Sequence, residues 1–550
     1  MGLGRLDGYW IDRNAFSIIG IINLNKKPNR DFIYLKKQCS HVIIILVNGG
    51  MSMHGGNRKG AGRKSSIDKK QPVTIYLNSK DKKFIKEAPL PDCTSFSQKC
   101  RKLLEMGIDK LESELERGAN EITFVDLFSG LGGMRIGFEQ ALSEFGLKGK
   151  CVFSSDIKPS AIKSYKFNFG ENPECDITKV NPTNLPNFDF LLAGFPCQAF
   201  SQAGLGLGFQ DTRGTLFFDI AKILLAKKPI GFVLENVEGL VHHDKGRTFK
   251  IIRKTLEELG YSIQAKVLNG KDFGLAQSRN RIYIIGLRGM KVKELAGFSK
   301  KTSVLRDIID ESTPPIQTEF TKKLLSHYKI DELYGKAIKD KRGGSNNIHS
   351  WDIGLKGEVS KEQKELLELL LRQRRNKKWA DIIGIKWMDG MPLTEDMIFS
   401  FYPHPKLHAL LDDLVAKGYL TYEHPKQLIN NRRVADTSLE KGYNIVTGKL
   451  SFEFTKILCP DSVTPTIVAT DVHKLAVPVN GGIRTLTINE GLKLFGFPDD
   501  YRLDFMKESE AFDLLGNTVC VPVIKAVSIK LLESYFESIN NLEKKEVGFM

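Results

Sequence analysis

Short apolar runs that alternate with helical patterns are the feature of this sequence that most constrains its fold. From Thr123 onward there are five such runs, and each ends in small or turn-forming residues. They are Phe124–Phe128, Cys151–Ser154, Phe188–Ala193, Gly231–Glu235 and Arg281–Gly286. This alternation predicts a doubly wound α/β sheet. Because ligands of such sheets bind at the carboxyl ends of the strands, the residues after each run are candidate functional residues.

A glycine-rich segment, Ser129-Gly-Leu-Gly-Gly133, follows the first run and begins a predicted helix. Its glycines let backbone amides approach a ligand, and a helix N-terminus attracts negative charge. The spacing differs from the Gly-x-Gly-x-x-Gly of dehydrogenases, so the segment indicates another cofactor site or a tight turn. Asp156 follows the second run and Asp176 precedes the third, and either carboxylate is a surface acid or an acceptor for ribose hydroxyls. Their succession favours an adenosine cofactor.

A cysteine lies just past the third run, in the segment Phe195-Pro-Cys-Gln-Ala-Phe-Ser201. The preceding proline restricts the backbone and favours a nucleophilic role for Cys197, whereas a lone cysteine is more often an inert buried side chain. The inert interpretation weakens because Glu235 ends the next run. It weakens further because Arg279 and Arg281 stand at the start of another run.

These groups match the requirements of methylation at carbon 5 of cytosine. That carbon becomes nucleophilic only after a thiolate adds to carbon 6 of the ring. A carboxylic acid at ring nitrogen 3 draws off the developing negative charge, and nearby arginines favour the thiolate and orient the acid. Since carbon 6 is approached from above the ring, the base has to leave the double-helical stack.

On these motifs the chain resembles the cytosine-C5 DNA methyltransferases of bacterial restriction–modification systems, over about residues 122–310 and 464–535. The resemblance is carried by Phe-Pro-Cys-Gln-x-Phe-Ser at 195–201 together with Glu-Asn-Val at 235–237. It implies a Rossmann-like sheet that binds S-adenosyl-L-methionine and an enzyme that methylates cytosine in a specific double-stranded DNA sequence. It also implies a cognate restriction endonuclease that acts on the same site without a stable complex. The chain itself is expected to be a monomer.

The resemblance also implies individual roles. Cys197 is the expected nucleophile and Glu235 the acid, with Arg279 and Arg281 as the basic pair. Gln198 and Ser201 fall where a mobile loop closes over the flipped base, so they are expected to contact DNA. The expected cofactor-binding residues are Phe128, Gly130, Gly132, Gly133, Asp156, Ile157, Asp176, Ile177, Leu216, Asn517 and Val519. Asp156 stands where the family more often has glutamate, so its contact with ribose is expected to be shorter or bridged by water.

Five segments follow from composition and motifs. Residues 1–53 are a leader without clear period, and Met51 or Met53 is the expected physiological start. Residues 54–118 combine a basic arm with one predicted strand and two helices. They indicate either a ribbon–helix–helix DNA-binding module or an amphipathic extension. The catalytic and cofactor-binding domain is expected at 119–309, a target-recognition domain at 310–470, and the rest of the catalytic domain with its C-terminal helix at 471–550.

The predicted target-recognition domain carries two further patterns. The segment Leu393–Tyr422 has apolar residues on one helix face followed by a β-type turn, which indicates a winged-helix element. Two basic segments, Arg372–Lys378 and Asn431–Arg433, either contact phosphates or are solvated surface.

Charge and cysteine content narrow the class of partner. Lysine and arginine exceed aspartate and glutamate by 81 to 65, a net charge of +16, which favours a polyanionic partner and salt-dependent binding. The eight cysteines are scattered without a Cys-x-x-Cys pair, which argues against zinc and against disulfides. Val42–Val47 is the longest aliphatic run, too short to span a bilayer, and the N-terminus lacks the pattern of a signal peptide. We therefore expect a cytoplasmic protein without a membrane partner.

Two other functions compete with DNA methylation. One is methylation of RNA cytosine, because one branch of this fold acts on tRNA, although the insert at 310–470 is longer than that branch usually carries. The other is a transcriptional regulator with an inert methyltransferase body. We expect catalysis from residue 122 onward to coexist with autoregulation through the N-terminal module.

Overall fold

The computed structural model describes residues 120–196, 216–340, 343–344, 346–429, 432–446, 452–469 and 472–547, and short segments between residues 4 and 102. The chain forms two compact units, Met1–Ala119 and Asn120–Met550. Three predicted site residues, Cys197, Gln198 and Ser201, lie outside the described residues, as does the basic arm at 54–64.

The first unit contains short antiparallel strands. The strand predicted for the N-terminal module is Val73–Tyr76, and it pairs with His41–Val47 of the leader. The helix Ser79–Glu87 follows. Of the second predicted helix, residues 96–100 are described as helical. The other strands of this unit are Gly4–Leu6, Tyr9–Ile11, Ile19–Asn23 and Asp31–Lys37.

A six-stranded sheet forms the centre of the second unit and confirms the predicted α/β fold. Its strands, in chain order, are Glu121–Leu127 (β1), Lys148–Ser155 (β2), Phe190–Gly194 (β3), Gly231–Val237 (β4), Tyr261–Asn269 (β5) and Asn280–Arg288 (β6). In space the order is β5-β6-β4-β3-β1-β2. The strands β1 to β4 are parallel, whereas β6 runs antiparallel to both β4 and β5.

The strand order of the central sheet indicates where its ligand site lies. The chain moves outward from β1 to β2 on one side and continues with β3 on the other, so the switch point lies between β1 and β3. Ligands bind at that point, at the carboxyl ends of the strands. Because β6 is antiparallel, its first residues lie at the same edge, and Arg281 is opposite Val237 at the end of β4.

Helices cover both faces of the central sheet. Gly133–Ser143 (α1) and Pro159–Phe169 (α2) follow β1 and β2, and Leu216–Lys227 (α3) and Arg247–Glu258 (α4) flank β4. One buried cluster, with Phe138 and Ile524, lies under α1 and the C-terminal helix. The opposite cluster contains Phe217, Ile252 and Phe232.

The C-terminal helix packs against α1 and shares a buried cluster with the central sheet. A Cβ atom at Gly137 of α1 would lie 2.6 Å from Cβ of Ile524, so the two helices approach closely at a glycine. The stretch Glu508–Asn541 is long and apolar enough for a membrane span by length and composition, yet 67% of its most apolar window is buried in the protein. That burial is typical of a core helix. The last three helices of the chain that the structure describes are Ile488–Phe495 (α10), Glu508–Asn517 (α11) and Val521–Val547 (α12).

A second sheet contains strands from both ends of the predicted target-recognition domain. It contains Ala337–Ile338 (β7), Asn347–Ile348 (β8), Lys456–Ile457 (β13), Leu475–Val479 (β14) and Gly482–Thr485 (β15), with the helix Glu319–His327 (α5) beside it. Because β13 pairs with β14, the sheet joins strands from both sides of residue 470, where the sequence suggested a boundary. Pairing between strands distant in sequence is not visible in local patterns.

Between β8 and β13 lies a subdomain with its own core of Leu366, Trp379, Leu411 and other apolar residues. It comprises Lys361–Gln373 (α6), Lys377–Ile383 (α7), Glu395–Phe399 (α8), Leu407–Ala416 (α9), Leu420–Glu423 (β9), Lys426–Ile429 (β10), Arg432–Ala435 (β11) and Gly442–Ile445 (β12). The strand β12 pairs with β9, Leu393 bridges to Tyr443, and β10 pairs with β11 as a hairpin. This is the order of a winged helix, with β10 and β11 as the wing.

Candidate functional site

A cavity of about 810 Å³ opens at the carboxyl edge of β1 to β4. This volume falls within the range of small-molecule and cofactor sites. Among its lining residues are eleven that the sequence predicted: Phe128, Gly130, Asp156, Ile157, Asp176, Ile177, Leu216, Glu235, Arg279, Arg281 and Asn517. Pro196, the residue before Cys197, also lines the cavity.

The glycine-rich segment forms a tight turn between β1 and α1. Phe128 has a φ of +55°, and Gly130 and Gly132 have φ of +53° and +72°. Positive φ is costly for a residue with a side chain, so Phe128 is a strained position of the kind found at binding sites. Gly132 is the N-cap of α1 and has no side chain that could cap the helix.

Three predicted cofactor residues lie behind the cavity wall. A Cβ atom at Gly132 would be 2.4 Å from the ring of Phe169, and one at Gly133 would be 2.8 Å from Cγ2 of Val519. Val519 is buried, with 7% exposure. Close packing therefore explains the glycines, and a direct contact of Gly132, Gly133 or Val519 with the cofactor stays a prediction.

Asp156 connects the turns that follow β1 and β2. Its Oδ2 accepts a hydrogen bond of 2.8 Å from the Gly130 amide, and its Oδ1 accepts one of 2.8 Å from the Lys158 amide. The short side chain therefore holds the glycine turn in position. Ribose binding by Asp156 stays a prediction.

Ile157 and Asp176, two of the expected cofactor-binding residues, give the cavity one apolar and one acidic side chain. Ile157 is 72% exposed at the cavity, an unusual position for an isoleucine and suited to stacking on a planar ring. Asp176 caps the short helix Ile177–Lys179 by accepting from the Thr178 amide (3.1 Å) and hydroxyl (2.7 Å). The hydrogen bond from the Thr178 hydroxyl, together with Lys179, lowers the pKa of Asp176.

A donor set of this kind fits S-adenosyl-L-methionine. The turn before α1 lines the cavity through Phe128 and Gly130, apolar side chains of Ile157, Ile177 and Leu216 line it, and Asp156 stands at the edge between them. Among the described residues no group of three or more His, Cys, Asp or Glu is placed to hold a metal ion.

Glu235 is the buried acid of the site. The register of β3 and β4 sets it opposite Gly194, and its Oε2 would lie only 3.7 Å from a Cβ atom at Gly194. The side chain is 7% exposed, and Arg281 Nε lies 3.1 Å from Glu235 Oε1. Burial raises the pKa of Glu235, and the positive charges of Arg281 and Arg279 partly oppose that rise. The acid therefore holds its proton more readily than an exposed glutamate does.

The two predicted arginines have different contacts. Arg281 pairs with Glu235, as expected for a residue that orients the acid. Arg279 is 2% exposed and donates to the carbonyl oxygens of Ile467 (2.9 Å), Gly516 (3.2 Å) and Thr518 (2.9 Å). Its guanidinium carbon also lies 5.2 Å from the centre of the Phe495 ring. Burial lowers the pKa of Arg279 to about 10. Arg279 therefore holds the backbone around the cavity.

Two amide side chains that sequence reasoning missed complete the site. Asn236 Nδ2 donates to the Phe195 carbonyl at 2.8 Å, so it holds the chain two residues before Cys197. Gln277 donates to the Leu494 carbonyl at 3.0 Å and accepts from the Ile467 amide at 3.2 Å. Asn236 belongs to the Glu-Asn-Val motif, which was a usable signal. For Gln277 no local pattern pointed to its distant partners.

Comparison with known proteins agrees with this geometry. Residues 122–533 match the family model described as C-5 cytosine-specific DNA methylase. The type II methyltransferase M.NlaIV of Neisseria lactamica is 57% identical over 423 residues, which cover 75% of this chain and 99% of that protein. M.NgoBV of Neisseria gonorrhoeae is 56% identical, with 75% and 99% covered. M.BanI of Aneurinibacillus aneurinilyticus is 41% identical over 446 residues, with 77% and 97% covered.

Replacing Arg279 with alanine is expected to loosen the cavity. Three buried carbonyl oxygens would lose their donor, and each loss costs about 1–3 kcal/mol. We expect a clearly lower midpoint of thermal unfolding and at least tenfold weaker binding of S-adenosyl-L-methionine in calorimetry. Arg288→Ala, at the exposed end of β6, the strand that follows Arg279, is the matched control and should change neither. Unchanged stability and affinity in Arg279→Ala would show that these hydrogen bonds contribute little.

Proposed function

Because the chain belongs to the family of C-5 cytosine-specific DNA methylases, we propose that it methylates carbon 5 of a cytosine within one specific double-stranded DNA sequence. The enzyme is a DNA cytosine-5 methyltransferase of the type II restriction–modification class. S-adenosyl-L-methionine is its cofactor and supplies the methyl group.

The observation that carries the proposal is the buried Glu235, paired with Arg281 at the edge of the cofactor cavity. Its raised pKa keeps a proton available for ring nitrogen 3 of a cytosine. Cys197 follows Pro196, which lines the same cavity, so a thiolate there would approach the base beside Glu235. Burial therefore favours the protonated form of Glu235, which is the form that can donate to nitrogen 3.

The proposed reaction uses these residues in sequence. The Cys197 thiolate adds to carbon 6, and the Glu235 proton moves to nitrogen 3 as carbon 5 gains electron density. Carbon 5 then takes the methyl group from the sulfonium of S-adenosyl-L-methionine, which would leave as the neutral thioether S-adenosyl-L-homocysteine. A solvent molecule takes the carbon-5 proton as the thiolate leaves carbon 6, and the nitrogen-3 proton returns to Glu235. Arg281 holds the carboxyl group of Glu235 in place throughout.

Binding of the target requires that the cytosine leaves the double helix and that the protein holds the duplex through its phosphates. We infer that Gln198 and Ser201 contact the flipped nucleotide, because they follow Cys197 directly in the sequence. The target-recognition function is assigned to residues 310–470. The net charge of +16 supports binding of DNA phosphates. We further propose that the protein acts as a cytoplasmic monomer and protects its site from a restriction endonuclease without binding that enzyme stably.

Bisulfite sequencing of DNA from cells that express the protein tests the proposed function. One short sequence motif should carry protected cytosines at every occurrence, and this motif is then the recognition site. Transfer of labelled methyl groups to tRNA instead of duplex DNA would favour the RNA alternative and contradict the proposal.

Replacing Cys197 with serine is expected to abolish methyl transfer to DNA while leaving S-adenosyl-L-methionine binding unchanged. A hydroxyl group is a far weaker nucleophile at neutral pH than a thiolate. Cys459→Ser, a cysteine that does not line the cavity, is the control and should retain full activity. Turnover by Cys197→Ser at the wild-type rate would overturn the proposed mechanism.

Replacing Glu235 with glutamine is expected to slow single-turnover methyl transfer by about 10²- to 10⁴-fold, the usual contribution of a general acid. The wild-type rate should also fall as the pH rises through the raised pKa of Glu235, because the deprotonated acid has no proton to give. The variant should lack this alkaline decline. A decline of equal size in both proteins would assign it to another group.

The N-terminal unit is proposed to bind the promoter of its own gene through the basic arm at 54–64 and the module that follows. The described helix Ser79–Glu87 is lysine-rich, which suits a DNA-binding role. Deletion of residues 1–118 leaves the compact unit Asn120–Met550, which spans the family match. This deletion should eliminate promoter binding and spare methylation. Promoter binding that survives the deletion would contradict the autoregulatory role.

A further inference from the structure

The winged-helix subdomain has an unusual charge distribution. In this topology α9 is the helix that would enter a DNA groove. Its exposed side chains include His408 and Asp412, and His408 Nδ1 lies 2.8 Å from Glu395 Oε2 while its Nε2 lies 3.2 Å from Asp412 Oδ2. Apart from Lys406 just before the helix, this face is lined by carboxylates and a histidine already engaged with them. An acidic face repels DNA phosphates.

The wing has the opposite character. Every residue of β11 is exposed, and among them are Arg432, Arg433 and Val434, of which Val434 is 44% exposed. Successive residues of a strand point to opposite faces, so the two guanidinium groups stand on both sides of the hairpin. Neither arginine has an ion-pair partner in the part of the chain that the structure describes. Two uncompensated guanidinium groups on a projecting hairpin are available to bind phosphate.

The root of the wing is held rigidly. Gln427 Nε2 donates to Asp436 Oδ2 across the hairpin at 2.6 Å, and the Asp436 amide donates to the Pro425 carbonyl at 2.8 Å. Lys426 pairs with Glu423 at 2.6 Å. The cations and carboxylates at the base therefore satisfy one another, and the arginines further along remain unpaired.

The same network extends into the subdomain core. Glu423 Oε1 accepts from Asn444 Nδ2 at 2.9 Å, and Asn444 Oδ1 accepts from Arg374 Nη1 at 2.6 Å. Arg374 is 3% exposed, and Arg375 Nε lies 2.8 Å from Asp389 Oδ1. Two arginines of the basic segment Arg372–Lys378 are thus used inside the protein, whereas those of the wing are not.

We propose that the wing strands Lys426–Ile429 and Arg432–Ala435 form a DNA-contacting element of this subdomain and that Arg432 and Arg433 bind phosphates of the duplex that carries the target site. Duplex DNA is favoured over a protein partner because the hairpin presents two positive charges that have no ion-pair partner among the described residues. The face of α9 is turned away from phosphate contact by its own carboxylates. The inference rests on the proposed function, since it names the element through which the recognition region holds its substrate.

The test is the salt dependence of duplex binding. Each phosphate contact contributes about 0.9 to the slope of log affinity against log salt concentration. The double variant Arg432→Ala/Arg433→Ala is therefore expected to reduce the slope by about 1.8 and to weaken binding at least tenfold at low salt. Fluorescence anisotropy of a labelled duplex containing the site, with full-length protein and S-adenosyl-L-homocysteine present, measures both. Arg432→Lys/Arg433→Lys keeps the charge and should retain the slope.

The matched control is Arg253→Ala/Lys254→Ala on α4. It removes the same charge, but from side chains that already pair with Glu257 and Glu258. A wild-type slope in the wing variant, or an equal loss in the control, would overturn the inference. Weaker binding of tRNA with unchanged binding of duplex DNA would also overturn it. Failure of the proposed function is distinguished separately, because then the wild-type protein would not methylate the duplex.

Discussion

The buried guanidinium of Arg279 is the interaction on which the geometry of the site most depends. It joins the segment before β6 to Ile467, near the end of the predicted target-recognition domain. It also joins that segment to Gly516 and Thr518, which precede the C-terminal helix α12. These segments are more than 180 residues from Arg279 in the sequence. A charge this deeply buried depends on compensating hydrogen bonds, and the three carbonyl oxygens accept them from Nη1 and Nη2 of Arg279. The cavity takes its shape from that contact.

The directions of the strands explain why Glu235 and Arg281 lie at the same edge of the sheet. The parallel strands β3 and β4 bring Gly194 and Glu235 level with each other, and the reversed strand β6 brings its first residues to the same place. Arg281 consequently pairs with Glu235 without a long loop. The pair has opposing effects on the acid, because burial raises the pKa of Glu235 while Arg281 restrains the rise.

Much of the fold and the site was predictable from local patterns, and the failures have physical causes. The strand β5 was missed because this edge strand alternates polar residues, such as Ser262 and Lys266, with apolar ones and lacks a continuous apolar run. Gly132 and Gly133 were predicted as cofactor contacts, which stays a prediction, and the structure adds that a side chain at either position would collide with Phe169 or Val519. A glycine needed for close packing looks the same in sequence as one needed for a ligand.

The sequence determined the chemistry, because motifs at the strand ends state which groups are present and the carboxyl ends of parallel strands meet at one edge of the sheet. The cysteine after the third run, the acid after the fourth and the arginines beside the last therefore determine the family and its reaction. The tertiary structure decided which contacts, and therefore which role, each of those groups has. Only three-dimensional packing separates Arg281, which touches the acid, from Arg279, which holds the backbone. Likewise, only the folded subdomain shows that Arg432 and Arg433 have no ion-pair partner among the described residues whereas Arg374 is buried, because ion pairing depends on distance in space and not on distance along the chain.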